Sequence, residues 1–208
     1  MSEKIKTIDK ENWTPKTELG KKVKSGEITS LEQIIDMGKP IIEPELIDIL
    51  VPGLESETLS VGSTQRVTDS GKRNKFRIVS VVGDRNGHVG VGVGKSDEIA
   101  PAIEYAVRNA KKKMISIRKG CGSWECKCAV QHSLPKKTDG KEGSTIVTLK
   151  PAPRGLGLAA NHTVKKVLAM AGVKDIWSSV QGGSNLYNTA MATIRALENL
   201  NTTKPLTD

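Results

Sequence analysis

Four side chains with metal-binding chemistry fall within twelve residues: Cys121, Cys126, Cys128 and His132. Thiolate and imidazole together suit zinc. The spacing is four residues, then one, then three, which is not that of a standard finger or ribbon. The short Cys-x-Cys step is hard to fold around one tetrahedral ion. Two readings therefore stand side by side: these residues as zinc candidates, or as plain reduced cysteines. A second kind of chemistry lies in the polar run Asp69–Lys75 and just beyond it, where Lys72, Arg73, Lys75 and Arg77 cluster. Guanidinium grips phosphate by a two-pronged contact, and ammonium acts as a point charge. A solvated, charged hairpin loop is the plain alternative. Arg85, Arg108, Lys111, Lys112, Lys113, Arg118 and Lys119 form a further basic group. For Lys111–Lys113 a helix end complementing its own dipole explains the charge equally well.

Other signals fail on inspection. Gly94-Lys95-Ser96 resembles a phosphate loop, but the glycine required five positions earlier is Val89. Gly155-Leu156-Gly157-Leu158-Ala159-Ala160 has dinucleotide-fingerprint spacing. Pro151-Ala152-Pro153-Arg154, however, separates those glycines from the preceding strand, whereas the fingerprint needs them in the strand-to-helix turn. His88 and His162 lie near no nucleophile motif, so no catalytic residue is assigned.

The basic residues must be positioned by the stretch from Arg66 to Met114. Lys75–Val82 is rich in β-branched residues and predicts a strand. Asp84-Arg85-Asn86-Gly87 supplies a turn, with Asn-Gly expected to take the positive φ. His88–Lys95 then alternates, with Val89, Val91 and Val93 on one face and bare glycine on the other. The glycine face invites close approach by a helix or a ligand. A helix follows, with Ser96 expected as N-cap and an apolar stripe through Ile99, Ala102, Ile103, Ala106, Ala110 and Met114. Thr64–Thr68 is a candidate third strand, joined to the hairpin by the loop Asp69–Lys75.

Before this unit, residues 1–16 read as polar and extended or mobile. Thr17–Ser25 reads as a short basic helix. Ser30-Leu31-Glu32-Gln33 fits a capping box that opens a second helix ending at Gly38, and Glu45–Val51 is a third. These pieces are too small for a core of their own, so they must pack on the body or on a partner. After Arg118 comes a basic link rich in glycine and cysteine, and Ala129–Leu134 is expected to enter a strand. Ser144–Lys150 predicts a strand, Asn161–Ala171 a helix, Asp175–Val180 a strand and Asn185–Leu200 a helix. The chain thus divides into a 1–53 extension, a 54–117 sheet-and-helix domain and a 118–208 α/β domain.

Net charge is +9, split as −2, +4 and +7 over those three regions. A basic body argues for a polyanionic partner, most often nucleic acid. Aromatics are only 3 % of residues, which argues against single-strand binding by stacking and for recognition by shape and phosphate. No apolar run reaches the roughly 20 residues of a membrane span. Met1–Lys6 lacks a signal-peptide core. Three clustered cysteines suit a reducing compartment.

Three segments carry a family resemblance. Gly83-Asp84-Arg85-Asn86-Gly87-His88-Val89-Gly90-Val91-Gly92 resembles the hairpin signature of the small-ribosomal-subunit protein five family. Leu149-Lys150-Pro151-Ala152-Pro153-Arg154-Gly155-Leu156-Gly157 is similar to its second signature, and Ala171-Gly172-Val173-Lys174-Asp175-Ile176-Trp177 to a third. Trp13-Thr14-Pro15 and Pro40-Ile41-Ile42-Glu43-Pro44 are similar to the archaeal and eukaryotic branch. The resemblance implies an α+β fold: a double-stranded-RNA-binding-like sheet-and-helix domain, then a two-layer α/β domain with a fold shared by some kinases and ribonuclease subunits. It implies a structural constituent of the small ribosomal subunit, in the cytoplasm, with no enzyme activity and no required cofactor. Its partners would be small-subunit ribosomal RNA, small-subunit protein four and other small-subunit proteins, and messenger RNA where it enters. It would support translational accuracy. Carried over by position, Lys72, Arg73, Lys75 and Arg77 would touch RNA. Arg85, Arg108, Lys111, Lys112, Arg118, Lys119 and Arg154 are further RNA-binding candidates, and some of the basic group would face messenger instead of ribosomal RNA. One departure bears on mechanism. Free-standing double-stranded-RNA domains carry lysines at the start of their last helix, whereas here they lie at its end, so a grip on a regular duplex in the usual way is not expected.

Overall fold

The computed structural model describes residues 3–4, 13–126, 128 and 130–202. The expectation of an extended or mobile stretch over residues 1–16 lies largely outside them. The chain forms two compact units, one of residues 1–84 and 90–114 and the other of residues 85–89 and 115–208.

The first unit is built on antiparallel strands in the order β1 (Glu3–Lys4), β2 (Glu55–Thr68), β3 (Gly71–Gly83) and β4 (His88–Ser96). His88 and Val89 pair with β5 (Ile115–Ser116) and count with the second unit. Helix α4 (Ile99–Lys112) packs where β4 is bare. A Cβ on Gly90, Gly92 or Gly94 would run into the backbone of Ala110, Ala106 or Ala102. The glycine face therefore receives a helix, not a ligand.

Three short helices, α1 (Glu18–Ser25), α2 (Leu31–Asp36) and α3 (Glu45–Leu50), pack on this body. Trp13, Ile34, Leu46 and Ile47 share one core with Val82, Ala110 and Met114. Ile34 and Ile47 are fully buried, and such side chains each contribute roughly 1.5–3 kcal/mol relative to exposure. The 1–53 pieces thus find their core on the body.

Several local expectations are corrected. The positive φ of the 84–87 turn falls on Arg85 (60°) and Gly87 (119°), not on Asn86. Ser96 is the last residue of β4, and Glu98 takes the N-cap of α4. Ser30 caps α2 without a side-chain bond, and Gln33 Oε1 accepts from Thr29 N–H at 3.2 Å, so the capping box is not closed.

The second unit carries a sheet in the order β6 (Thr138–Glu142), β7 (Thr145–Pro151), β9 (Ile176–Gln181) and β8 (Leu158–Ala159). Only the β8–β9 pair is parallel. Helices α5 (His162–Ala171) and α6 (Leu186–Thr202) pack together, with α6 against β6 and β7 and α5 against β8. Strand β6 has no counterpart in the sequence reading, because Thr-Asp-Gly-Lys-Glu lacks β-branched density. Its Gly140 lets α6 approach at Ala192 and Ala196. The strand expected over Ala129–Leu134 does not form. Ala129 lies outside the described residues, and the rest contributes only an isolated bridge between Ser133 and Gly120. The architecture is α+β throughout.

Candidate nucleic-acid interface and cysteine cluster

The expected 69–75 loop is a two-residue turn. Strand β2 begins well before Thr64 and runs to Thr68, while β3 starts at Gly71, so Lys72, Arg73 and Lys75 sit on a strand. Asp69 and Ser70 close the turn, and Thr68 Oγ1 donates to Gly71 O at 2.8 Å. From Val61 to Lys75 both strands are exposed. The result is a two-stranded ribbon projecting from the sheet.

Register decides what the ribbon presents. Arg66 pairs with Arg73, Thr64 with Lys75 and Gly62 with Arg77. Directly opposed residues share a face. Arg66, Arg73, Lys75 and Arg77 therefore lie on one face, and Lys72, paired with Val67, lies on the other with Phe76. Arg66 is the residue the sequence reading missed. Its signal was the pairing register, which emerges only once β2 extends to the turn. Like charges directly across a ladder are unfavourable unless an anion intervenes. Asp97 supplies part of one, 3.4 Å from Arg73 and 3.6 Å from Lys75. All three side chains are about half exposed or more, so these pairs are weak and screened.

The further basic residues separate. In the first unit Arg108 and Lys112 are exposed, but Lys111 is not. Its Nζ lies 2.6 Å from Asp48 Oδ1, with both side chains almost fully buried. Lys111 is a core ion-pair partner and is withdrawn as an RNA contact. Burial pushes the Asp48 carboxyl above its usual range, against the pull of Lys111. In the second unit Arg85, Arg118 and Arg154 are exposed. Lys119 Nζ donates to Arg85 O at 3.1 Å, and Arg85 N–H donates to Met170 O at 2.9 Å.

The Gly155–Gly157 turn is occupied by protein. Both amides donate to Asp175 Oδ1, at 3.0 and 2.8 Å. They are not available to a pyrophosphate, which agrees with rejecting the dinucleotide reading. Asp175 Oδ2 meets His132 Nδ1 at 2.8 Å, and both residues are buried.

His132 and the three cysteines converge. Their ligand atoms all lie within 4.8 Å of one another. Cys126 and Cys128 sulfurs share a hydrogen bond at 3.0 Å, Cys128 and Cys121 are 3.5 Å apart, and Cys126 Sγ is 3.7 Å from His132 Nε2. The bond with Cys128, then the Arg154 amide, draws the Cys126 thiol down to about 6. The same shared bond pushes Cys128 up. Nearby, Trp124 and Trp177 flank an open cleft with Lys137 and Lys150. Trp124 is 89 % exposed. The overall scarcity of aromatics hid this local pair.

Residues 54–118 match the family description "Ribosomal protein S5, N-terminal domain", and residues 140–208 match "Ribosomal protein S5, C-terminal domain". Among curated relatives, "Small ribosomal subunit protein uS5" of Methanocaldococcus jannaschii is 49 % identical, over 94 % of this chain and 91 % of its own. The protein of the same description from Staphylothermus marinus is 49 % identical over 94 % and 93 %. That of Methanococcus maripaludis is 50 % identical over 92 % and 85 %.

Proposed function

The chain belongs to the ribosomal protein S5 family, and from that membership we propose that it is a structural constituent of the small ribosomal subunit, binding small-subunit ribosomal RNA in the cytoplasm. The family is one of ribosomal structural proteins, not enzymes. The observation that carries the RNA reading is the one-faced set Arg66, Arg73 and Lys75 on an exposed ribbon, with half-buried Arg77 on the same face at its base. A two-stranded arm with cations at alternate positions reaches into a crevice between RNA helices and neutralises phosphates there. Asp97 holds the place of an anion until phosphate displaces it. Arg85, Arg108, Lys112, Arg118, Lys119 and Arg154 add phosphate contacts in their own units, and Lys72, on the ribbon's other face, adds a weaker one. The cleft of Trp124, Trp177, Lys137 and Lys150 adds a stacking and phosphate contact to the same RNA. At the finer level we infer contact with small-subunit protein four, support of translational accuracy and a share in lining the path by which messenger RNA enters. These rest on the family resemblance, and the exposed cations supply the chemistry for the RNA among them.

The test is sedimentation of the native protein through a high-salt gradient. Migration with the small subunit supports an integral role, since weak electrostatic association is screened away. Migration at the top of the gradient, repeated at low salt, overturns it. Micromolar binding of a nucleoside triphosphate by the purified protein would favour a kinase-like enzyme instead. Tight binding to a plain RNA duplex without other ribosomal components would favour a free-standing double-stranded-RNA module.

A further inference from the structure

Cys121, Cys126, Cys128 and His132 lie between the two family matches, the first ending at residue 118 and the second starting at 140. We propose that these four side chains hold one structural Zn²⁺ through three thiolate sulfurs and His132 Nε2.

The sulfur and nitrogen positions are close to what the ion requires. With Zn–S near 2.3 Å, tetrahedral sulfurs stand about 3.8 Å apart, and a sulfur and an imidazole nitrogen about 3.6 Å. The chain holds S···S at 3.0 and 3.5 Å and S···N at 3.7 Å. The 3.0 Å separation is far beyond the ~2.05 Å of a disulfide, and all three cysteines are free. A small outward movement of Cys126 and Cys128 opens the centre. The Cys-x-Cys step, which looked too short, is accommodated because it places both sulfurs on one side of the cluster.

Three further features favour a metal over loose thiols. The carboxylate of Asp175 accepts the Nδ1 proton of His132, which leaves the lone pair on Nε2, the nitrogen near Cys126. A carboxylate fixing a histidine tautomer in this way is the usual support of a zinc ligand. Backbone amides of Arg154 and Val130 bond the sulfurs of Cys126 and Cys128 and spread thiolate charge. The segment also has a built neck. Gly120 and Ser133 exchange both backbone hydrogen bonds at 2.9 Å, and Gly122 N–H donates to Leu134 O at 3.0 Å. The neck sets Cys121 beside His132. Above it apolar anchoring is slight, with Trp124 89 % and Val130 51 % exposed. Ligation supplies what packing does not. Four protein ligands leave no open position, so the site is structural and not catalytic.

The experiment is elemental analysis of the full-length protein, purified under reducing conditions without chelator. About one zinc per chain is expected, released by a mercurial thiol reagent. Replacement by Co²⁺ should give the visible bands and sulfur-to-cobalt charge transfer of a tetrahedral thiolate site. Cys126→Ser and Cys128→Ser should lose the metal, and Ser123→Ala, in the same loop, should keep it. If the serine variants fail to fold, the zinc content and cobalt spectrum of the unaltered chain decide. Metal-free protein with three alkylatable thiols, a disulfide, another metal in place of zinc, or zinc retained in both serine variants would each overturn the proposal. None of these outcomes bears on the sedimentation test of ribosomal function.

Discussion

Arg66 stands directly across the β2–β3 ribbon from Arg73, so two guanidinium groups share one exposed face with Lys75, and half-buried Arg77 lies on the same face below them. An isolated protein gains nothing from opposing like charges. The arrangement becomes favourable when phosphates enter between them. Arg66→Glu and Arg73→Glu should each lower the salt slope of binding to small-subunit ribosomal RNA, by about one unit for each phosphate no longer neutralised. Both side chains are exposed, so the far-ultraviolet circular dichroism of the isolated protein should not change. Lys72→Glu, on the opposite face, should change the slope less. Filter binding across a potassium chloride series checks this, and equal reductions in all three variants would refute the one-faced interface. In cells, Arg73→Glu should weaken subunit assembly or raise misreading.

Gly92 lies under α4 at the point where a Cβ would enter the Ala106 carbonyl and the Ala110 amide. Backbone cannot step aside as a side chain tip does. Gly92→Ala should therefore lower stability by at least roughly 1–3 kcal/mol, the range for overpacked cores. Gly62, on the ribbon, has only a distant carbonyl near its added Cβ, so Gly62→Ala is the control. Urea denaturation of the two variants should separate them clearly, and indistinguishable midpoints would show that helix and strand are not held at this distance.

Much of this was legible in the residues. Strict Val/Gly alternation over His88–Lys95 indicated the strand and a face open to close approach, because period two and missing side chains leave few alternatives; that a helix and not a ligand fills it came from the structure. The helix ending at Gly172 was legible because glycine takes the left-handed cap, with φ of 77°, and the short helix over Thr17–Ser25 ends at Gly26 in the same conformation, φ 86°. What was not legible depended on partners far along the chain. Glu55–Ser63 carries mixed polar residues that acquire strand character only by pairing with β3, and the polar run Gly71–Lys75 joins the ladder only through its partners in β2, so Asp69–Lys75 reads from sequence as a loop. Lys111 looked like one of three helix-end cations, and nothing local distinguishes it from Lys112. Its fate is set by Asp48, 63 residues away. The cysteine cluster was visible as composition, but its convergence depends on the Gly120–Ser133 bridge and on Asp175.

Asp175 ties the second signature to the third by accepting from His132, Gly155 and Gly157 at once. Removing the carboxylate leaves the buried His132 Nδ1 without its acceptor, at about 1–3 kcal/mol for a buried donor, and also takes the acceptor from the more accessible amides of Gly155 and Gly157. Asp175→Ala should lower the urea midpoint strongly. Asp175→Asn keeps one oxygen for the glycine amides but turns its amide N–H donors toward the donating Nδ1 of His132, so its midpoint should fall between those of the parent and the alanine variant. An alanine variant as stable as the parent would mean that the carboxylate is not the organiser of this turn.

The Lys111–Asp48 pair sits in the first unit's core. Removing one partner leaves an uncompensated buried charge, so Asp48→Ala should lower stability by about 3–5 kcal/mol. Lys111→Met in the same chain should recover part of that, since a hydrophobic replacement of both charges is often tolerated. The pH dependence has a defined sign. Burial raises the folded Asp48 carboxyl above its ordinary value of 3.8. Between its unfolded and folded values the folded state binds more protons than the unfolded one, so stability from this group is full at acid pH and falls as pH rises. The stability difference between the parent and Asp48→Ala should therefore shrink as pH rises from about 4. Urea titrations at several pH values measure it. A difference that grows with pH would show that the attraction of Lys111 outweighs the loss of hydration at Asp48.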